Sequence, residues 1–166
     1  MDMHLREATA DDALAISELI QAAFIKHIAP DWELSAQRDF LEETRTEKLD
    51  SRISEAALCL VCEHSTKVVG VIFMPRPTLV QLFFVAPGQL RKGIGRTLWS
   101  TARAQLEERH PEVKTVELNS SPYALAAYKA LGFFPISKPF RRKGAVAIRM
   151  ACWLPGKALE QTQHVV

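Results

Sequence analysis

The stretch "TLVQLFFVAPGQLRKGIGRTLWSTARAQLEERH", residues 78–110, constrains the fold more than any other part of the chain. Thr78 to Val85 is almost continuously apolar, as expected of a strand covered on both faces. Pro87 and the glycines Gly93 and Gly95 interrupt it, and a helical period begins. Leu98, Ala102 and Leu106 fall at i, i+4 spacing and form one apolar seam. After Pro111 comes a second strand, "VKTVELNS". A strand, a helix and a strand in that order make a crossover unit with parallel strands.

The rest of the chain extends this unit into one mixed α/β domain. "HLREA" reads as a first strand. "TADDALAISELIQAAF" reads as a helix with Thr9 as N-cap, acids in its first turn and Leu14, Ile16, Leu19, Ile20 and Ala23 on its apolar face. "SAQRDFLEETRTEKLDSRI" predicts a second helix with Phe40, Leu41 and Leu49 inward. "AALCLVCEH" and "KVVGVIFMP" form a hairpin turning at Ser65 and Thr66. "SPYALAAYKALGF" predicts a helix with Ser121 as cap, Pro122 at its first position and Gly132 at its stop. "GAVAIRMACW" is the last strand. The domain expected is 1–154, with about four helices around a central mixed sheet, and 155–166 as a patternless tail.

Charge and cysteine content exclude several classes. A net charge of +2 is too small to argue for nucleic acid. The densest basic cluster, "KPFRRK" at 138–143, reads as a solvated loop that also attracts anions. Three cysteines suggest no disulfide framework. Cys59 and Cys62 have zinc-like spacing, but lie three apart on a strand and so face opposite sides, and no second pair follows. No HxxxH or HExxH motif points to a metal. No apolar run is long enough to cross a bilayer, and "MDMHLREATADD" is unlike a signal peptide. A soluble cytoplasmic protein without a membrane or nucleic-acid partner is expected.

The glycine turn suits an anion. A helix N-terminus presents unpaired N–H groups and the positive end of the macrodipole, and glycines leave them accessible. Arg91, Lys92 and Arg96 add charge. A P-loop is excluded because Ile94 stands where its lysine belongs, and a dinucleotide fingerprint because Leu98 replaces its third glycine. These residues alone leave a plain strand-to-helix turn and a ligand site equally open.

With the second half of the chain included, the sequence resembles the GNAT superfamily of acyl-CoA N-acyltransferases. Its cofactor motif, R/Q-x-x-G-x-G/A, aligns with Leu90-Arg91-Lys92-Gly93-Ile94-Gly95, with leucine departing from the first position. Its N-x-x-A segment, followed by tyrosine and Gly-Phe, aligns with Ser121 to Ala124, Tyr128 and Gly132-Phe133. The resemblance covers roughly Val68 to Met150. It implies a central, mostly antiparallel sheet splayed between the fourth and fifth strands. It implies that acetyl-CoA, without a metal, is the co-substrate. Its pyrophosphate meets the backbone from Arg91 to Arg96, with Gln89 or Arg91 supplying the polar group that Leu90 lacks. Its pantetheine lies along Phe83, Phe84 and Val85, near Asn119 and Ser121.

The chemistry implied is acetyl transfer to a primary amine in a ternary complex, with Tyr128 as the acid that protonates the leaving thiolate. Gln81, taken to share a face with Phe83, is a candidate for the acceptor site. Glu117, sharing a face with Asn119 by alternation, is the base candidate. Glu33 and His27 are further candidates to reach the acceptor. No cysteine has an evident histidine base for a ping-pong route. The acceptor expected is a small-molecule or peptide amine, and the protein a monomer or homodimer. Two other readings fit the residues: an acyl-CoA-sensing module without turnover, and a nucleotide-binding domain unrelated to coenzyme A.

Overall fold

The computed structural model describes residues 2–154. Strand β1 (Met3–Glu7) leads through a 3-10 turn at Ala10–Asp12 into α1 (Ala13–His27). Helices α2 (Leu34–Glu43) and α3 (Thr46–Glu55) follow, then strands β2 (Leu58–His64), β3 (Lys67–Met74), β4 (Leu79–Val80) and β5 (Leu82–Val85). Helix α4 (Ile94–Arg109) connects to β6 (Thr115–Ser120), and α5 (Leu125–Ala130) to β7 (Phe134–Pro135), β8 (Phe140–Arg142) and β9 (Ala145–Trp153).

These strands make two sheets. The first runs β1-β2-β3-β5 and is antiparallel throughout. The second runs β4-β6-β9-β7, with β8 paired to β9. Among the described residues its one parallel pair is β4 with β6. The apolar run 78–85 is therefore not one strand. Val80 pairs with Leu118 in the second sheet, whereas the Gln81 N–H donates to Phe73 O (3.0 Å) in the first. Passing from one sheet to the other opens a fork between β5 and β6, the splay expected between the fourth and fifth sequence strands.

Four expectations about the helices and loops need correction. The 35–53 segment is two helices, broken at Thr44–Arg45. Phe40 and Leu49 are nine residues apart, about 180° around a straight helix, so one helix could not turn both inward. Buried Thr44 fixes the break, its Oγ1 donating to Phe40 O (2.8 Å) and its carbonyl accepting from Ser17 Oγ (2.7 Å). The 121–133 helix begins later than expected, at Leu125. Ser121 Oγ accepts the Ala124 N–H (3.2 Å) in a preceding turn, and Gly132 ends the segment at φ +100°. The "KPFRRK" segment is not a loop, since Phe140–Arg142 pairs with β9. The apolar face of the first helix is broad, but Leu14 is exposed and the helix runs on to His27. It is entered through a 3-10 turn after Thr9, whose N–H donates to Asp12 Oδ2 (2.8 Å).

The core lies on both faces of the first sheet. One face carries Cys59, Val61, Val71, Phe73 and Leu82 against α1 and α3. The other carries Leu60, Cys62 and Ile72 and continues through Leu118 and Met150 of the second sheet, against α4. Cys59 and Cys62 thus fall on opposite faces, both unpaired thiols. Gly70 lets α4 approach the sheet. A Cβ there would stand 2.7 Å from Ile94 Cγ2 and 2.9 Å from Leu98 Cδ1.

Candidate active site

The turn between β5 and α4 is shaped by two left-handed residues. Arg91 has φ +62° and Gly93, the N-cap of α4, has φ +79°. No side chain caps the helix, so the first N–H groups stay available to an anion. Arg91, Lys92 and Arg96 are all exposed around it. Ile94 points its side chain into the core and can offer only backbone. Leu90 is extended and 37 % exposed, at the lip of the turn. Of its neighbours, Gln89 accepts a hydrogen bond from Lys92 Nζ (3.0 Å), and Arg91 is free of side-chain partners among the described residues.

Beneath this turn, Gly95 sits over β5. A Cβ there would be 3.5 Å from Phe83 Cε1 and 4.0 Å from Val85 Cγ2. Tyr128 of α5 meets Phe83 edge-on, with ring centroids 5.8 Å apart, and meets Phe133 at 5.9 Å. The helix start, the last strand residues before the turn and the tyrosine are therefore neighbours on one face. Burial raises the Tyr128 phenol above its ordinary range, so the side chain is a neutral O–H donor at physiological pH. Phe84 points the other way, to Phe40 (6.1 Å), which stacks on Phe24 (4.1 Å).

The second sheet has an open face at the fork. Glu117 and Asn119 are exposed on it while Val116, Leu118 and Ser120 are buried, so the expected alternation holds. Gln81 does not join Phe83 on its face. The chain changes sheet at this residue, which breaks the period of two. Its exposed side chain accepts from Arg52 Nη2 (2.6 Å), and Arg52 lies over the Phe73 ring on the α3 side.

Two contacts tie the N-terminal helices to the second half of the chain. The His27 ring stacks on Tyr123 at 4.4 Å and 4°, joining the end of α1 to the turn before α5. Burial lowers the His27 pKa, and its Nε2 finds no hydrogen-bond partner. The Glu33 N–H donates to Gly144 O (3.0 Å), placing the start of α2 against the β8–β9 turn. Tyr123 and Arg149 belong to no motif. The signal available for Arg149 was that it is the one charged residue of "GAVAIRMACW". The three cysteines are buried, with thiols raised by desolvation, Cys59 to about 12. Among the described residues no group of three His, Cys, Asp or Glu side chains could hold a metal ion.

The family model for the GNAT acetyltransferase domain matches residues 25–154. The chain therefore belongs to the GNAT acetyltransferase family. Among curated proteins none matches it in sequence. Solved structures share its fold. The PaiA N-acetyltransferase of Thermoplasma acidophilum, in complex with coenzyme A, is 17 % identical with a TM-score of 0.75, covering 92 % of this chain and 99 % of that one. A GCN5-related N-acetyltransferase from Rhodopseudomonas palustris is 18 % identical with a TM-score of 0.79, covering 93 % and 99 %. The ribosomal-protein-S18-alanine N-acetyltransferase of Escherichia coli is 21 % identical with a TM-score of 0.67, covering 92 % and 94 %. Among the described residues no helix is long and apolar enough to cross a membrane.

Proposed function

We propose that the protein is an acetyl-CoA-dependent N-acetyltransferase acting on a primary amine in the cytoplasm. The observation that carries this reading is the uncapped, glycine-started N-terminus of α4 standing beside Phe83, Val85 and Tyr128 at a forked sheet. Family membership and the coenzyme A complex of the Thermoplasma relative support the cofactor.

Each part has a role in acyl transfer. Backbone N–H groups from Arg91 to Arg96 hold the pyrophosphate, helped by three exposed cations. Among the described residues strand β5 has no sheet partner on its fork side, so its open edge can bond the pantetheine as an added strand would. A backbone N–H near Val85 polarises the thioester carbonyl and stabilises the oxyanion formed on attack. Asn119 of β6 and Ser121, just after its end, border the same space. When the C–S bond breaks, the Tyr128 O–H gives the thiolate its proton. Glu117, on the open face, takes the amine proton through water. Direct attack fits better than a cysteine intermediate, because raised thiol pKa values keep all three cysteines protonated.

The decisive measurement is thermal unfolding with and without acetyl-CoA. A ligand held by the native state alone raises the melting temperature with concentration. Saturating acetyl-CoA should do so, and ATP should do so less. No shift with acetyl-CoA would overturn the cofactor reading.

A further inference from the structure

The open face at the fork carries an arginine that the reaction chemistry does not use. Arg149 of β9 lies directly across from Asn119 in the antiparallel register, where β6 has lost β4 as its neighbour. Both its backbone polar groups are held by the segment 136–137. The Arg149 N–H donates to Ser137 Oγ (2.9 Å), and its carbonyl accepts from the Ile136 N–H (2.8 Å). The side chain is exposed and makes no ion pair or hydrogen bond among the described residues. Glu117 is its diagonal neighbour on the same face, since it pairs with Ala151, two residues along β9. Diagonal partners stand about 7–8 Å apart, within reach of two long side chains, yet Glu117 and Arg149 form no salt bridge. Arg142 faces the same way by register, paired with Ala145. An arginine left unpaired beside a reachable carboxylate, at the mouth of the fork, is available to an anion carried by the acceptor.

We infer that the acceptor is an amine that also bears a carboxylate, an amino acid or a peptide end, with Arg149 binding that carboxylate. This rests on the N-acetyltransferase reading. A planar guanidinium matches a carboxylate with two parallel hydrogen bonds. Glu117, offset along β6, faces the ammonium end before it loses its proton. The start of α2 brings Glu33 against the β8–β9 turn and the end of α1 brings His27 against Tyr123; among the described residues neither forms an ion pair with Arg149.

The test compares acetylation of free amino acids, dipeptides, the matching amino acid amides and simple alkylamines, in wild type, Arg149→Gln and Arg149→Lys. Carboxylate-bearing acceptors should exceed their amides in kcat/KM by at least about tenfold, the value of a hydrogen bond to a charged group. Arg149→Gln should remove that preference through KM, leaving the KM for acetyl-CoA and the rates with amides unchanged. Arg149→Lys, which keeps the charge without the fork, should retain part of it. The ratio of free amino acids to dipeptides then names the source of the carboxylate, and turnover of either supports the assignment. Amides or alkylamines used as well as the acids overturn it, as does an Arg149→Gln variant that loses all acceptors equally. If no carboxylate-bearing acceptor reacts while acetyl-CoA still raises the melting temperature, the acceptor assignment fails and the cofactor reading stands. If acetyl-CoA gives no shift, the cofactor reading itself fails.

Discussion

Replacing Gly93 by alanine separates the proposed cofactor role of the glycine turn from its role in the fold. Gly93 sits at φ +79°, where an L-residue costs about 1–2 kcal/mol. Among the described residues, its chain neighbours aside, no atom lies within 4 Å of the position a Cβ would take, so no clash adds to that strain. For a domain of this size each kcal/mol is worth about 2–4 °C, which places the fall in melting temperature at about 2–8 °C. The new methyl enters the space above the first N–H groups of α4, where the pyrophosphate is proposed to lie. A tenfold loss of affinity is about 1.4 kcal/mol. At an acetyl-CoA concentration about 100 times the wild-type Kd, the stabilisation should drop from about 2.7 to about 1.4 kcal/mol. The ligand-induced shift, read by calorimetry, should be halved or less. Gly70→Ala is the control. Its Cβ meets buried Ile94 at 2.7 Å and should cost about 1–3 kcal/mol by overpacking, with the ligand increment retained. A Gly93→Ala protein that keeps the full acetyl-CoA increment would refute the cradle.

Three further outcomes are expected. Tyr128→Phe should lower kcat by about 10²-fold, the lower end for general acid catalysis, with the KM for acetyl-CoA unchanged; because burial raises its phenol pKa, the wild-type kcat should show no loss from Tyr128 ionisation up to about pH 10. Stability, read by urea melts, should fall in two stages as pH drops. His27 is held below its ordinary pKa by burial, so the first loss begins below the unfolded value of about 6.5, where the unfolded chain takes up the proton first. Asp12 is held low by the Arg6 hydrogen bonds (2.7 and 2.8 Å), so its contribution, complete above an unfolded value of about 3.9, disappears as pH falls through the lowered folded value. Asp12→Asn should cost about 1.5–3 kcal/mol at pH 7 and remove the second stage. A thiol reagent should label none of the three cysteines in the native protein and all three in denaturant, since each is buried with a raised pKa; fast labelling of Cys59 without denaturant would contradict the packing described.

What could be read from residue order was whatever depends on neighbours in the chain. The alternation of "VELNS" put Glu117 and Asn119 on one face, the Ser65–Thr66 turn closed a hairpin with both residues at positive φ, and Gly93 marked a helix start. Each follows from a local period or a local backbone preference. The break in 35–53 was also present in the spacing of Phe40 and Leu49, but only a buried target for both side chains makes that spacing decisive. The two faces of "LFFV", with Phe83 toward Tyr128 and Phe84 toward Phe40, required knowing what packs on each side of β5. The fork could not be seen in "TLVQLFFV", because an apolar strand reads the same whether one sheet or two accept its hydrogen bonds. Gln81 turned to Arg52, His27 met Tyr123, and Arg149 was left beside Asn119 only through partners distant in sequence. Residue order was enough for most strands and helices and for the glycine turn that starts α4, which arise from contacts a few residues apart. The tertiary structure alone decided which charges share the open face, because that depends on strand register across segments with no local relation to one another.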